Sequence, residues 1–218
     1  MGIWQQLTEK PWEPRGHELT IDARRSFAMP AARVGLIVFL AVATVLFLLL
    51  IVAYADRMVF EDWRPTPQQW LLWLNTALLV VSSAALEWAS IGARRGRRDD
   101  MRLGLLAGGG FAIAFIAGQL VAWRELSAMV VFDITNPAIA FFYLITALHG
   151  LHLMGGLVAW GRTLRGLARG ADPARTVLRV RLCATYWHYL LVLWLVLFGL
   201  LFSGDENLAA LLEICGLR

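Results

Sequence analysis

Five long apolar stretches with almost no charge constrain this chain more than any other feature of its sequence. They run near Val34–Ala55, Gln68–Ser90, Leu103–Ala122, Pro137–Trp160 and Leu182–Ser203. At the helical rise, each is about long enough to cross ~30 Å of hydrocarbon. The apolar runs are continuous rather than alternating, which argues against β-barrel strands. Composition points the same way: 59% of the 218 residues are apolar and only 17% are charged, more hydrocarbon than a water-soluble globule of this size can hide. The expected fold is therefore an all-α integral membrane bundle of five transmembrane helices. Asn136-Pro137 offers a helix N-cap followed by proline at the first helical position. Trp63, Trp70, Trp123 and Trp160 stand at the ends of stretches, where amphipathic rings favour the headgroups.

Charge sets an expected orientation. The tail up to Arg33 carries five Lys and Arg, the segment after the second stretch carries five (Arg94, Arg95, Arg97, Arg98 and Arg102), and the segment after the fourth carries six. The three alternate segments carry two, one and one, so the split is 16 against 4. The positive-inside rule then places the N-terminus in the cytoplasm and the C-terminus outside. The outer face would hold eight carboxylates: Asp56, Glu61, Asp62, Glu125, Asp133, Asp205, Glu206 and Glu213. The net charge of +4 thus reports topology and not nucleic-acid binding. Two cysteines, Cys183 and Cys215, are too few and too far apart for a disulfide framework or a thiolate zinc site.

Three regions follow: a cytoplasmic N-terminal arm over 1–33, a five-helix membrane domain over 34–203, and a short outer-face tail over 204–218. The arm contains no secretory apolar core, so no cleavage is expected at the front, and its charges around Trp12 suit a headgroup or partner surface. The tail offers at most a short amphipathic helix bearing Leu208, Leu211 and Leu212. Gly110, Ala114 and Gly118, and likewise Gly150 and Gly155, are small residues expected to mark helix–helix seams.

Polar residues inside a membrane are costly, so each needs a purpose. The second stretch holds Asn75, Ser82, Ser83 and Glu87, the third holds Gln119, the fourth holds His149 and His152, and the fifth holds Tyr186, Trp187 and His188. No Asp, Glu, Lys or Arg lies centrally in any stretch, which argues against an ion wire in this chain alone. Glu87 sits one turn from the Arg-rich end and has two readings, an interfacial carboxylate among arginines or a proton-collecting group. His149 and His152 share a helical face. His152 and His188 fall at similar depth, so they could share a hydrogen bond, directly or through water, if their helices are neighbours. Histidine also ligates haem, but two bis-His pairs cannot be assembled when the second stretch contributes none. Buried packing histidines are the expected role, with no catalytic, cofactor-binding or metal-binding residue in the chain.

Taken together, Leu74-Asn75-Thr76 with Trp88-Ala89, Ala147-Leu148-His149-Gly150-Leu151-His152, and Tyr186-Trp187-His188-Tyr189 with Trp194 resemble subunit III of the haem–copper oxidases. Gln119 and Glu125 fit the family's third matching helix. The resemblance covers the chain from the first stretch onward and is to five-helix members, which lack the first two helices of larger ones. It implies a subunit that binds beside catalytic subunit I, with subunit II and other chains of the respiratory complex as further partners. Haem and copper would reside in those partners, and this chain would hold phospholipid in a cleft, sustain proton uptake and protect the catalytic subunit. Three family acids are absent: Ala43-Thr44, Ala122 and Leu191 stand where carboxylates are usual. That weakens an antenna role and favours a structural, lipid-holding one in a bacterial cytoplasmic membrane. Two alternatives stay open, the related accessory subunit of a nitric oxide reductase and a b-type cytochrome membrane anchor.

Overall fold

A computed structural model describes residues 30–60, 63–64, 70–129, 136–170 and 172–202. The N-terminal arm before Pro30 and the C-terminal tail lie outside them. Among the described residues the chain is all-helical: α1 (Ala31–Arg57), α2 (Trp70–Arg94), α3 (Arg98–Met129), α4 (Pro137–Ala168) and α5 (Pro173–Phe202). All five are long and apolar enough to cross a membrane. The molecule divides into two compact units, Met1–Ile37 and Val38–Arg218. The first contributes only the opening turns of α1 to the described residues, and the packing below is that of the second.

The helices overrun the apolar stretches because a helix continues satisfying its backbone beyond the hydrocarbon. The largest overrun is at α5, which starts nine residues before Leu182. Asp172 caps it, its carboxylate accepting from the backbone N–H of Arg175 at 3.3 Å, with Pro173 at the first helical position. The Asp-Pro pair is the same signal as Asn136-Pro137. Asn136 caps α4 as expected, accepting from the Ala138 N–H at 3.1 Å and donating to the Arg64 carbonyl at 2.9 Å. At the other end, Gly96 and Gly170 turn the chain out of α2 and α4 with φ of 70° and 69°, a backbone region that a side chain disfavours.

Helices α2 to α5 close into a ring, α2 on α3, α3 on α4, α4 on α5 and α5 back on α2, with the α2–α3 pairing the most extensive. Sequential helices run antiparallel: Asn75 meets Gln119 and Ser82 meets Gly108 between α2 and α3. The part of α1 beyond Ile37 buries one narrow stripe, Ala43, Phe47 and Tyr54. Phe47 and Tyr54 join a cluster with Ile145, Leu197 and Leu200.

The small-residue seam matches expectation only in part: of the expected residues, Gly118 packs closely, against the Asn75 side chain. Gly110, Gly150 and Gly155 face open space, and a Cβ on any of them would touch nothing. The close approach is made by Gly104 and Gly108, one turn apart on α3. A Cβ on Gly104 would sit 2.7 Å from the Ala85 carbonyl and the Ala89 nitrogen. Spacing of four picks out both stripes on α3, and only the neighbour decides which one is the seam.

Gly104→Val should therefore lower the stability of the detergent-extracted protein by about 1–3 kcal/mol, the cost of overpacking a rigid backbone contact. Gly110→Ala should leave the melting midpoint unchanged or slightly raised; equal losses for the two variants would contradict the assigned seam.

Candidate functional site

The polar residues of the spans form two groups. The first starts on α2, where Ser83 and Glu87 lie four apart and so share a face. That face meets His188 of α5. Ser83 Oγ lies 2.5 Å from His188 Nδ1, and His188 Nε2 lies 3.2 Å from Glu87 Oε2. Arg94 Nη2 closes the chain on the other carboxylate oxygen at 3.4 Å. Ser83 is buried, whereas the His188 and Glu87 side chains are 46% and 40% exposed. The result is a hydrogen-bonded path from a buried hydroxyl to an exposed carboxylate.

This arrangement corrects the His152–His188 pairing that similar depth allowed. His188 points to α2, and its two ring nitrogens are engaged by Ser83 and Glu87. His152 Nδ1 instead donates to the Leu148 carbonyl of its own helix at 2.8 Å. Its ring packs toward α1, 5.8 Å from Phe39 and 5.3 Å from Phe47. Similar depth did bring the two helices together, but through Tyr186, whose hydroxyl donates to the His152 carbonyl at 2.7 Å. Nor is every span histidine buried: His149 is, His152 is half-buried and His188 is exposed.

The second group lies at the centre of the ring. Trp187 donates from Nε1 to Ser82 Oγ at 2.9 Å, and Ser82 donates onward to the Gly108 carbonyl at 2.6 Å. Trp194 donates to Thr76 Oγ1 at 2.9 Å, and Thr76 to the Leu72 carbonyl at 2.8 Å. Asn75 Nδ2 donates to Gln119 Oε1 at 3.2 Å. His149 is fully buried between Phe115 and Trp194, with ring centroids 6.0 and 5.2 Å away. Two of the tryptophans at the ends of the stretches turn inward: Trp123 donates to Thr146 Oγ1 at 3.1 Å and Trp160 to the Leu105 carbonyl at 2.7 Å. Trp88 stays half-exposed on the periphery, and Gly150 is uncrowded.

Comparison with known proteins decides the family. The family model for cytochrome c oxidase subunit III matches residues 17–203. The chain belongs to this family. Cytochrome c oxidase subunit 3 of Thermostichus vulcanus is 29% identical over 196 residues, covering 87% of this chain and 95% of the relative. That of a Synechocystis species is 30% identical over 204 residues, covering 89% and 82%. The probable cytochrome c oxidase subunit 3 of Mycobacterium tuberculosis is 28% identical over 179 residues, covering 78% and 86%. As a subunit III family member with five helices able to span a bilayer, the chain is a multi-pass membrane protein.

The three positions expected to lack the family's acids differ in their surroundings. Thr44 lies 3.0 Å from the Tyr189 hydroxyl and donates to the Leu40 carbonyl at 2.8 Å, a cross-link between α1 and α5 that no spacing in the sequence signals. Ala122 is buried in α3, and Leu191 is half-buried on α5. The Glu87–His188 contact also went unread, although Tyr186-Trp187-His188 and the Ser83/Glu87 spacing each marked one side of it.

The two groups should respond differently to substitution. Ser82→Ala strands the Trp187 indole in a dry core and should cost about 1–3 kcal/mol. Glu87→Gln breaks a half-exposed pair and should cost under about 1 kcal/mol. Melting midpoints of the extracted protein check this, and the reverse ranking would contradict the division into core and rim.

Proposed function

We propose that this chain is the non-catalytic subunit III of a respiratory haem–copper terminal oxidase in a bacterial cytoplasmic membrane. Subunit I, accompanied by subunit II, holds the haem and copper through which electrons reach oxygen. The observation that carries this reading is the family match across 17–203, joined by relatives named cytochrome c oxidase subunit 3 over most of their length. The chain itself supplies a scaffold that keeps the catalytic subunit in working order.

Two features support finer parts of the reading. A groove of about 650 Å³ lies against α1, lined by Ala41, Val42, Val45, Leu46, Leu49 and Leu50, with Leu144 and Leu148 of α4. A wall of aliphatic side chains suits a phospholipid acyl chain, which gains dispersion contact there without asking for a polar partner. The alternation of Lys and Arg supports a cytoplasmic N-terminus, which puts Glu87, His188 and Arg94 at the cytoplasmic rim. There the exposed Glu87 carboxylate can take a proton from solvent, with the imidazole of His188 beside it as a second exchange group. That supports proton collection on behalf of the catalytic subunit, from a different place than the missing family acids.

Extraction through an affinity tag on this chain tests the reading. Haem- and copper-containing subunits should co-purify, the preparation should consume oxygen, and stripping this chain should shorten the active lifetime more than it lowers the initial rate. Consumption of nitric oxide in place of oxygen would assign the complex to the reductase relatives. A reduced haem band from the isolated chain would overturn the reading.

A further inference from the structure

Four buried polar atoms at the centre of the ring have no hydrogen-bond partner among the described residues: both ring nitrogens of His149, Oδ1 of Asn75 and Nε2 of Gln119. They come from α4, α2 and α3. Turning both amides over would exchange donor for acceptor within the Asn75–Gln119 pair, but would again leave one of each unmatched. A Cβ at Gly118 would collide with Asn75 Oδ1, so the glycine is what admits that oxygen to the α3 surface.

Register brings His149 to the amide pair. Phe115, one turn before Gln119, packs on the His149 ring. Trp123, one turn after Gln119, bonds Thr146, which is three residues before His149. Because α3 and α4 are antiparallel, Gln119 falls between these two rungs, within about one turn of the histidine. In a bundle that spans a bilayer, bulk solvent does not reach such groups, and buried polar atoms without protein partners are matched by ordered water.

We propose that Asn75, Gln119 and His149 form a binding site for ordered water, with one molecule bridging a ring nitrogen of His149 to the amide pair. The inventory fits. An imidazole with one N–H brings one donor and one acceptor, the amide pair brings one of each, and a water brings two of each. The two ring nitrogens diverge, so a second molecule serves the other one. The cluster holds no carboxylate, which disfavours a divalent cation. Phe115 and Trp194 wall the site, and the Trp194 N–H is already committed to Thr76, so the water is held in place and does not form part of a conduit. Its role is to tie α2 and α4, which sit on opposite corners of the ring, through a shared polar centre.

A cryo-electron microscopy map of the extracted protein in its native assembly, at a resolution that shows ordered water, tests the site directly. Density within hydrogen-bonding distance of a His149 nitrogen and of the amide pair is expected. A dry centre, or His149 bonded directly to protein groups, would overturn the proposal. Independently, His149→Phe and Gln119→Met should be non-additive in melting midpoint, the double variant losing no more than the worse single one, because either change removes the water's anchorage. Strictly additive losses would count against a shared molecule.

Discussion

A hydrogen-bonding group inside hydrocarbon has no solvent to return to, and the interior of this bundle is organised around that constraint. Its recurring solution is a relay from an indole N–H to a hydroxyl to a backbone carbonyl. Trp187, Ser82 and Gly108 make one such relay, Trp194, Thr76 and Leu72 a second, and Trp123, Thr146 and Phe142 a third. A hydroxyl on a helix can donate to a carbonyl one turn back and keep a lone pair free. An indole has only a donor and a large apolar body. Each relay therefore satisfies groups on neighbouring helices while filling space between them, and the Trp187 relay crosses three of them, α5, α2 and α3.

Glycine supplies the complementary half of the packing. Gly104 and Gly108 let α2 lie against the α3 backbone, Gly109 makes room for the Trp160 ring, and Gly156 does the same for Tyr186 and Trp187. Missing side chains thus face backbone and aliphatic side chains across α2–α3 and bulky rings across α3–α4 and α4–α5, which is how helices associate when lipid competes equally for apolar contact. Beyond Ile37, α1 follows a looser rule. It packs through rings, Tyr54 edge-on to Phe141 and Phe47 edge-on to His152, and through a hydroxyl pair between Thr44 and Tyr189. Glu87 and His188 stand apart because they lead outward to the rim, where their side chains are 40% and 46% exposed.

Element type was legible almost throughout, since twenty-odd apolar residues in a row admit one structure in a bilayer. The Asn136-Pro137 cap was legible too; the equivalent Asp172-Pro173 cap lies nine residues outside the apolar stretch, where hydropathy carries no signal. The residues of the site were legible as types: Asn75, Gln119, His149 and His188 all announced themselves as polar groups where polarity is expensive. Their partners were not. His188 turned out to face Ser83 and Glu87, His152 turned to α1, and the seam fell on Gly104 and Gly108 instead of Gly110. All three outcomes depend on how each helix is rotated about its axis. Rotation is set by neighbours, and a helix that is apolar on every side carries little record of it.

Indole donors hold the bundle together, and an isosteric replacement that deletes only the N–H isolates their contribution. Benzothienylalanine at position 194 keeps the two fused rings and puts sulfur in place of the donor. Loss of the Trp194–Thr76 bond should lower the melting midpoint of the extracted protein, reflecting about 1 kcal/mol or somewhat more for a fully buried pair. An unchanged midpoint would mean that ring packing alone secures these helices and that the indole donors are dispensable.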